Sequence, residues 1–386
     1  MKTMKWMLGL VLAGTLAVQA GDLVIQSFDS SGKVTFNELT TAVGYRAEWT
    51  TNLLSTSWSS NAPGIPSITP HGAGNRTVTV GVVNASCFYR VVSTVSNPPG
   101  MVLIPAASFV MGNATNVFPE YRTDELPPHT VYVSAFYMDR YEVTAGLWSN
   151  VFSWATTNGY SFTNAGLGKA TNHPVHSVNW YDMVKWCNAR SQKEGLTPCY
   201  YISAAQSTIY TNGTLNISNS WVKWSANGYR LPTEAEWEKA ARGGVADTRF
   251  PWTDYTNMIS HAKANYNGYR DTYSYDLSTG AHPTWDTHDS QYPYSSTVGS
   301  FAPNGYGLYD MTGNMWEWVW DWYDVNYYSN SPGTNPAGPT SGGYRVLRGG
   351  SWVDTPDGAR CANRWYGGYG PDHKDNSFGF RCARGL

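Results

Sequence analysis

The stretch Asn304-Gly-Tyr-Gly-Leu-Tyr-Asp-Met-Thr-Gly-Asn-Met-Trp-Glu-Trp318 carries the reading on which the fold turns. Two carboxylates, Asp310 and Glu317, flank Gly313. A glycine turn frees backbone carbonyls, and carboxylates plus carbonyls in one short loop suit a hard cation that takes several oxygen ligands. Asp310, Gly313, Met315 and Glu317 are therefore candidate metal-binding positions. Trp316, Trp318, Trp320 and Trp322 then recur at period two, which sets four indoles on one face of an extended segment. That row reads as core packing, with a ligand-stacking row as the sharper alternative.

Upstream, two helices are well signalled. Asn179 is placed to cap a helix over Tyr181 to Lys193, with Asp182 in its first turn and Gly195 after its end. Thr233-Glu-Ala-Glu236 is a capping box, and its helix should run to about Arg242 and stop at Gly243-Gly244. Elsewhere Gly, Asn, Pro and aromatic residues dominate, so the expectation is an α+β domain with much irregular structure. Asn97-Pro-Pro-Gly100 reads as a short stiff linker. Before it, Arg76–Val83 and Cys87–Val95 alternate or run β-branched between turn signals. Residues 21–97 are accordingly read as a small β-sandwich of fibronectin-III-like kind, a spacer or docking module, and residues 98–386 as the main domain.

Lys2 and Lys5 precede an apolar run, Met7 to Val18, followed by the small-residue stretch Ala-Val-Gln-Ala at 17–20. A charged start, a short apolar core and small residues before a cut describe a secretory signal peptide over residues 1–20, and hence a secreted or periplasmic protein. No later stretch is apolar enough to cross a membrane. A net charge of -2 offers no basic patch for nucleic acid or an anionic membrane. Eighteen Trp and 27 Tyr with only 14% charged residues imply buried rings and loops ordered by indole and phenol hydrogen bonds. The five cysteines, Cys87, Cys187, Cys199, Cys361 and Cys382, lack CxxC spacing, and an odd count leaves at least one unpaired or bonded to another chain.

Further blocks line up with the opening stretch. They are Met101–Gly112, Met138-Asp-Arg-Tyr-Glu-Val-Thr144, His173-Pro-Val-His-Ser-Val-Asn-Trp180, Gly228–Glu238, Arg249-Phe-Pro-Trp252, Arg345-Val-Leu-Arg-Gly-Gly-Ser-Trp352 and Gly379-Phe-Arg381. Their order and identity resemble the formylglycine-generating enzyme family, also called sulfatase-modifying-factor domains, over essentially residues 100–386. The resemblance implies a domain related to the C-type lectin fold and stabilised by structural calcium at one or two sites. One site would use the Asp310 side chain, the carbonyls of Gly313 and Met315, and the Glu317 carboxylate. A second would use Asn265, the Tyr266 carbonyl and an acidic residue near Asp289. Cys187 and Cys382 match a disulfide pair of the family; the resemblance puts Ala241 where the usual partner of Cys361 stands, which makes Cys199 a candidate partner for Cys361 and Cys87 the odd thiol.

Active members of the family carry two cysteines shortly after the Gly-Gly-Ser block, bind copper and oxidise a cysteine in a sulfatase peptide. A soft Cu(I) ion needs thiolates at close quarters. In this chain Asp354 stands where the first of those cysteines belongs, and the second falls in a gap of a few residues before Arg360-Cys361-Ala362-Asn363-Arg364. Cys361 matches a structural cysteine. The expectation is no copper site of that type and no catalytic residue of the family's kind. The iron-dependent branch is not matched either, since His173 and His176 lie in a Pro-containing loop and His282 and His288 are scattered.

A third branch consists of ligand-binding proteins whose variable region lies between Arg-Gly-Gly-Ser-Trp and Gly-Phe-Arg, the layout seen here. Ser351, Trp352, Asp354, Arg360, Arg364, Trp365, Tyr366, Tyr369, Asp372 and His373 would populate such a surface, and aromatic and Arg side chains are what an exposed recognition patch uses. The plain alternative is that they only order a Gly-rich loop. The reading is an exported, calcium-stabilised recognition domain for a protein, peptide or glycan ligand. The competing readings are an oxidoreductase acting on a thiol substrate in sulfatase maturation, and a structural module.

Overall fold

The computed structural model describes residues 97–113, 122–285 and 293–386 with their side chains, and before residue 97 the backbone of six strands. The signal-peptide reading of residues 1–20 and Asp289 lie outside the described residues. The chain divides into two compact units, one ending at Asn97 and one spanning Pro98–Gly385. In the first unit, Ile25–Phe28, Lys33–Asn37, Asn75–Thr79 and Thr69–Pro70 form one antiparallel sheet, and Gly44–Thr50 pairs with Phe88–Thr94 in another.

The second unit is α+β with short elements. One sheet takes the order Tyr229–Arg230, Ala383–Arg384, Phe136–Asp139, Met101–Ile104, so the end of the chain sits between an early and a middle strand. The other takes the order Arg364–Trp365, Arg345–Arg348, Trp316–Trp322, Phe378–Gly379. The last pairing is parallel, with Glu317 beside Gly379. Ala107–Met111 and His129–Val133 form a separate hairpin.

All seven residues of Trp316–Trp322 are buried. The even positions carry the indoles: Trp318 meets Phe378 edge-on at 5.7 Å and Trp320 stacks on Tyr200 at 5.3 Å. Core packing therefore absorbs the tryptophan row. The odd positions face a helix, α3 (Glu234–Ala241): Trp237 Nε1 donates to Glu317 Oε2 at 2.8 Å, and the Glu234 amide donates to Asp321 Oδ2 at 2.8 Å.

Local signals place the helices. A first helix, α1 (Ala145–Thr156), is capped by Thr144. It was not foreseen, because Ser, Asn and Thr are weak helix formers and the segment has no charge to mark its ends. The second, α2 (Trp180–Lys193), starts where Asn179 accepts the Asp182 amide at 2.9 Å and ends before Gly195, whose φ of 71° suits glycine. In α3 both halves of the capping box are made. Trp148 of α1 stacks on Trp186 of α2 at 5.5 Å, and Phe380 meets both edge-on. Trp237, Ala240 and Ala241 of α3 join Ile104, Met111, Val131, Val319 and Val346 in the core.

Candidate functional site

The strand Arg345–Arg348 ends in Gly349 and Gly350, whose φ values of 95° and 73° turn the chain sharply. Ser351 follows, fully buried, and its hydroxyl donates to Asp354 Oδ2. Asn267 donates its amide to the Asp354 carbonyl at 2.9 Å. Burial pushes the Asp354 carboxyl up to about 6. The turn therefore presents a hydroxyl–carboxyl pair whose carboxyl keeps its proton to higher pH than an ordinary aspartate.

No described thiol shares that turn. Cys361 is buried in the core beside Met111, Val131 and Val346, and burial pushes its thiol up to about 11. Cys199 is buried elsewhere, donates to the Gly228 carbonyl at 3.4 Å and is pushed up to about 12. Such thiols are protonated at neutral pH and poor nucleophiles or copper ligands. The proposed Cys199–Cys361 pair is not formed. Cys361 packs against the α3 side of the core, with Arg242 and Arg348 nearby, whereas Cys199 lies near Tyr200, Arg230 and Cys187. Cys187 and Cys382 stand with their sulfurs 3.7 Å apart.

Several residues read as recognition surface are interior. Arg360 is 2% exposed and holds both oxygens of Glu125 at 2.6 and 2.8 Å. Arg364 is 0% exposed and holds both oxygens of Glu234 at 2.7 Å. Ser351 and Trp352 are also buried, Trp352 against Tyr294 at 5.3 Å. Desolvated guanidiniums need carboxylate partners, and those partners come from remote segments, so these arginines hold the loop rather than display it. Trp365, Tyr366 and Tyr369 do reach the surface. Tyr366 packs between Tyr323 at 4.4 Å and Tyr344 at 5.1 Å, and Tyr344 is 39% exposed. Tyr369 is 47% exposed and stacks on His373 at 3.8 Å, with planes 12° apart. Asp372 is exposed beside them.

The Asp310–Asn314 loop is tightly curled, with Asp310, Gly313 and Asn314 all left-handed at φ 56°, 73° and 65°. A Cβ at Gly313 would lie 2.2 Å from the Asn265 carbonyl, so only glycine fits. Asp310 is buried. One oxygen accepts the Gly299 amide at 2.6 Å, and the other, Oδ1, has no partner. Burial pushes its carboxyl up to about 6. Glu142, which the sequence reading missed, joins the group by accepting the Asn314 amide nitrogen Nδ2 at 2.6 Å and the Met315 backbone amide at 3.1 Å. Burial and the charges of Asp310 and Glu317 raise the Glu142 carboxyl well above the usual range. Glu317 is held by Arg381 at 2.7–2.9 Å and by Trp237. Three carboxylates thus face one guanidinium, and an orphaned buried oxygen at Asp310 fits a bound cation.

At the second candidate position, Asn265 Nδ2 donates to the Tyr294 carbonyl at 2.9 Å, and the Tyr266 carbonyl meets His261 Nε2 at 3.2 Å. The nearby Asp276 is already engaged by the Tyr266 hydroxyl and the Tyr269 and Ser278 amides. Among the described residues no three His, Cys, Asp or Glu side chains gather as a metal-binding group, so any cation must draw on amide and backbone oxygens as well.

Residues 89–386 match the family described as the sulfatase-modifying factor enzyme 1-like domain. The chain is 34% identical to the mouse formylglycine-generating enzyme over 301 residues, covering 73% of this chain and 74% of the relative. It is 31% identical over 317 residues to a mouse protein named inactive C-alpha-formylglycine-generating enzyme 2, covering 74% of this chain and 85% of that one. Among solved structures, the Treponema denticola variable protein 1 superposes with a TM-score of 0.55 at 30% identity, covering 74% of this chain and 95% of that one.

Proposed function

Starting from the fact that this chain belongs to the sulfatase-modifying-factor family of formylglycine-generating enzymes, we propose that it is an exported, calcium-stabilised member that recognises a ligand and does not generate formylglycine. The observation that carries this reading is the Ser351–Asp354 pair. At the position matching the family's first copper cysteine the side chain is a carboxyl, and burial raises the thiols of Cys199, Cys361 and Cys382. The close sulfurs of Cys187 and Cys382 are buried in the core and not at this turn, so no described thiol pair meets Asp354 to give Cu(I) a soft ligand set there.

Recognition falls to the exposed Tyr369 and the half-buried Trp365 and Tyr366 of the same segment, with the exposed Tyr344 packed against Tyr366. Rigid rings with polar tips supply contact area at low entropic cost and suit a glycan or peptide. The calcium would be held by Asp310, by the carbonyls of Gly313 and Met315, and by remaining lone pairs of Glu317, whose two oxygens also accept from Arg381. Its role would be to neutralise the excess carboxylate charge and fix the loop. Export rests on the leader-like residues 1–20, and the first unit would act as a spacer. Among the described residues no helix is long and apolar enough to cross a membrane.

The test is a glycan and peptide array probed with the mature protein. Specific binding that Tyr369→Ala weakens supports the proposal, and a blank array removes it. The second reading, oxidation of a thiol substrate, is favoured by the 34% identity to the mouse enzyme. It requires oxygen uptake with copper and a cysteine-containing sulfatase peptide, measured beside an active relative.

A further inference from the structure

Where Ala107–Met111 ends, Gly112 and Asn113 lie against the end of α3 at Arg242, the loop at Thr248 and Arg249, and the turn at Arg360. These segments enclose a cavity of about 20 Å³. Roughly 10–15 Å³ is enough for one water, so the cavity holds a single small occupant.

Three buried side chains of the lining have a polar atom without a hydrogen-bond partner: Asn113 Nδ2, Thr248 Oγ1 and Arg360 Nε. The residues are 3%, 6% and 2% exposed. All three atoms can donate. Buried donors are costly to leave unpaired, and three around one cavity call for an acceptor inside it.

Charge selects the acceptor. Arg242, Arg249 and Arg360 line the cavity. Arg360 is neutralised by Glu125, but Arg242 shares its carboxylate, Glu238, with Arg348. The one carboxylate in the lining, Asp247, is exposed to solvent. A water has two lone pairs and must also place two hydrogens on acceptors, so it cannot satisfy three donors. A monoatomic anion accepts from all of them. We propose that this cavity is a halide site, occupied by chloride, which ties the hairpin end to α3 and to the C-terminal segment.

Crystals of the mature protein soaked in sodium bromide test this directly. The expected result is an anomalous peak within hydrogen-bonding distance of Asn113, Thr248 and Arg360. An ordered water with no anomalous signal there overturns the proposal. In solution, Tm should be higher in sodium chloride or bromide than in sodium gluconate at equal ionic strength, and the rise should saturate with concentration. Thr248→Val should weaken that dependence, and Asn113→Asp, which adds a carboxylate, should abolish it. Equal Tm values for the wild type in all three salts also overturn it, whether or not the Asn113 variant folds.

Discussion

Arg364 and Glu234 meet in a two-pronged pair: Nε and Nη2 of the arginine each lie 2.7 Å from one carboxylate oxygen. Glu234 opens α3 and Arg364 opens the edge strand of the tryptophan-rich sheet, so one buried contact locks the helix to the C-terminal segment. The middle of that segment is thereby divided into an anchored half and a displayed half.

Breaking the anchor should be expensive. Arg364→Met leaves Glu234 without its main partner, and uncompensated buried charges cost about 3–5 kcal/mol. Tyr369→Ala, at an exposed position, should change stability by only about 0.5 kcal/mol or less. Urea denaturation of both variants measures the difference, and comparable losses would contradict the division.

Binding should show the reverse order. With a ligand identified on the array, Tyr366→Ala or Tyr369→Ala should weaken affinity at least tenfold, about 1.4 kcal/mol, with the circular dichroism spectrum unchanged. Calorimetric titration decides, and wild-type affinity in both variants would move the recognition surface elsewhere.

The two helices with strong caps, at Asn179 and Thr233, were legible because capping is local. The tight turn at Asp310–Asn314 was legible because Gly313 and its two carboxylates lie close together in sequence. Arg360 and Arg364 were misread because nothing nearby reveals their partners: Glu125 is 235 residues away and Glu234 is 130. The same distance hid Glu142, whose role depends on Asn314, 172 residues later. Among aromatic residues in a Gly-rich stretch, a buried arginine and a displayed one look alike until the carboxylates are placed.

Calcium should stabilise the second unit through Asp310. Binding to the folded state alone adds about 2.7 kcal/mol when the free ion is at 100 times its Kd. Wild-type Tm should therefore rise with calcium and fall with a chelator, and Asp310→Asn should lose most of that difference. Coincident wild-type melting curves would rule out a structural calcium.

The Ser351–Asp354 pair makes a prediction with a definite sign. The folded Asp354 carboxyl titrates at about 6, above the roughly 3.9 of an unfolded chain. Between those values the folded state binds more protons than the unfolded one, so stability falls as pH rises through that window. A shift of about two units corresponds to about 3 kcal/mol at most, and less because the residue is only half-buried. Asp354→Asn keeps an oxygen to accept from Ser351 and removes the ionisation. It should flatten the stability profile between pH 4 and 6 and be more stable than wild type at pH 7, with Asp310 left as a remaining source of slope. Urea midpoints across that range measure the effect. A variant that parallels the wild type would mean that the carboxyl is already ionised at pH 5 and that this turn is solvated.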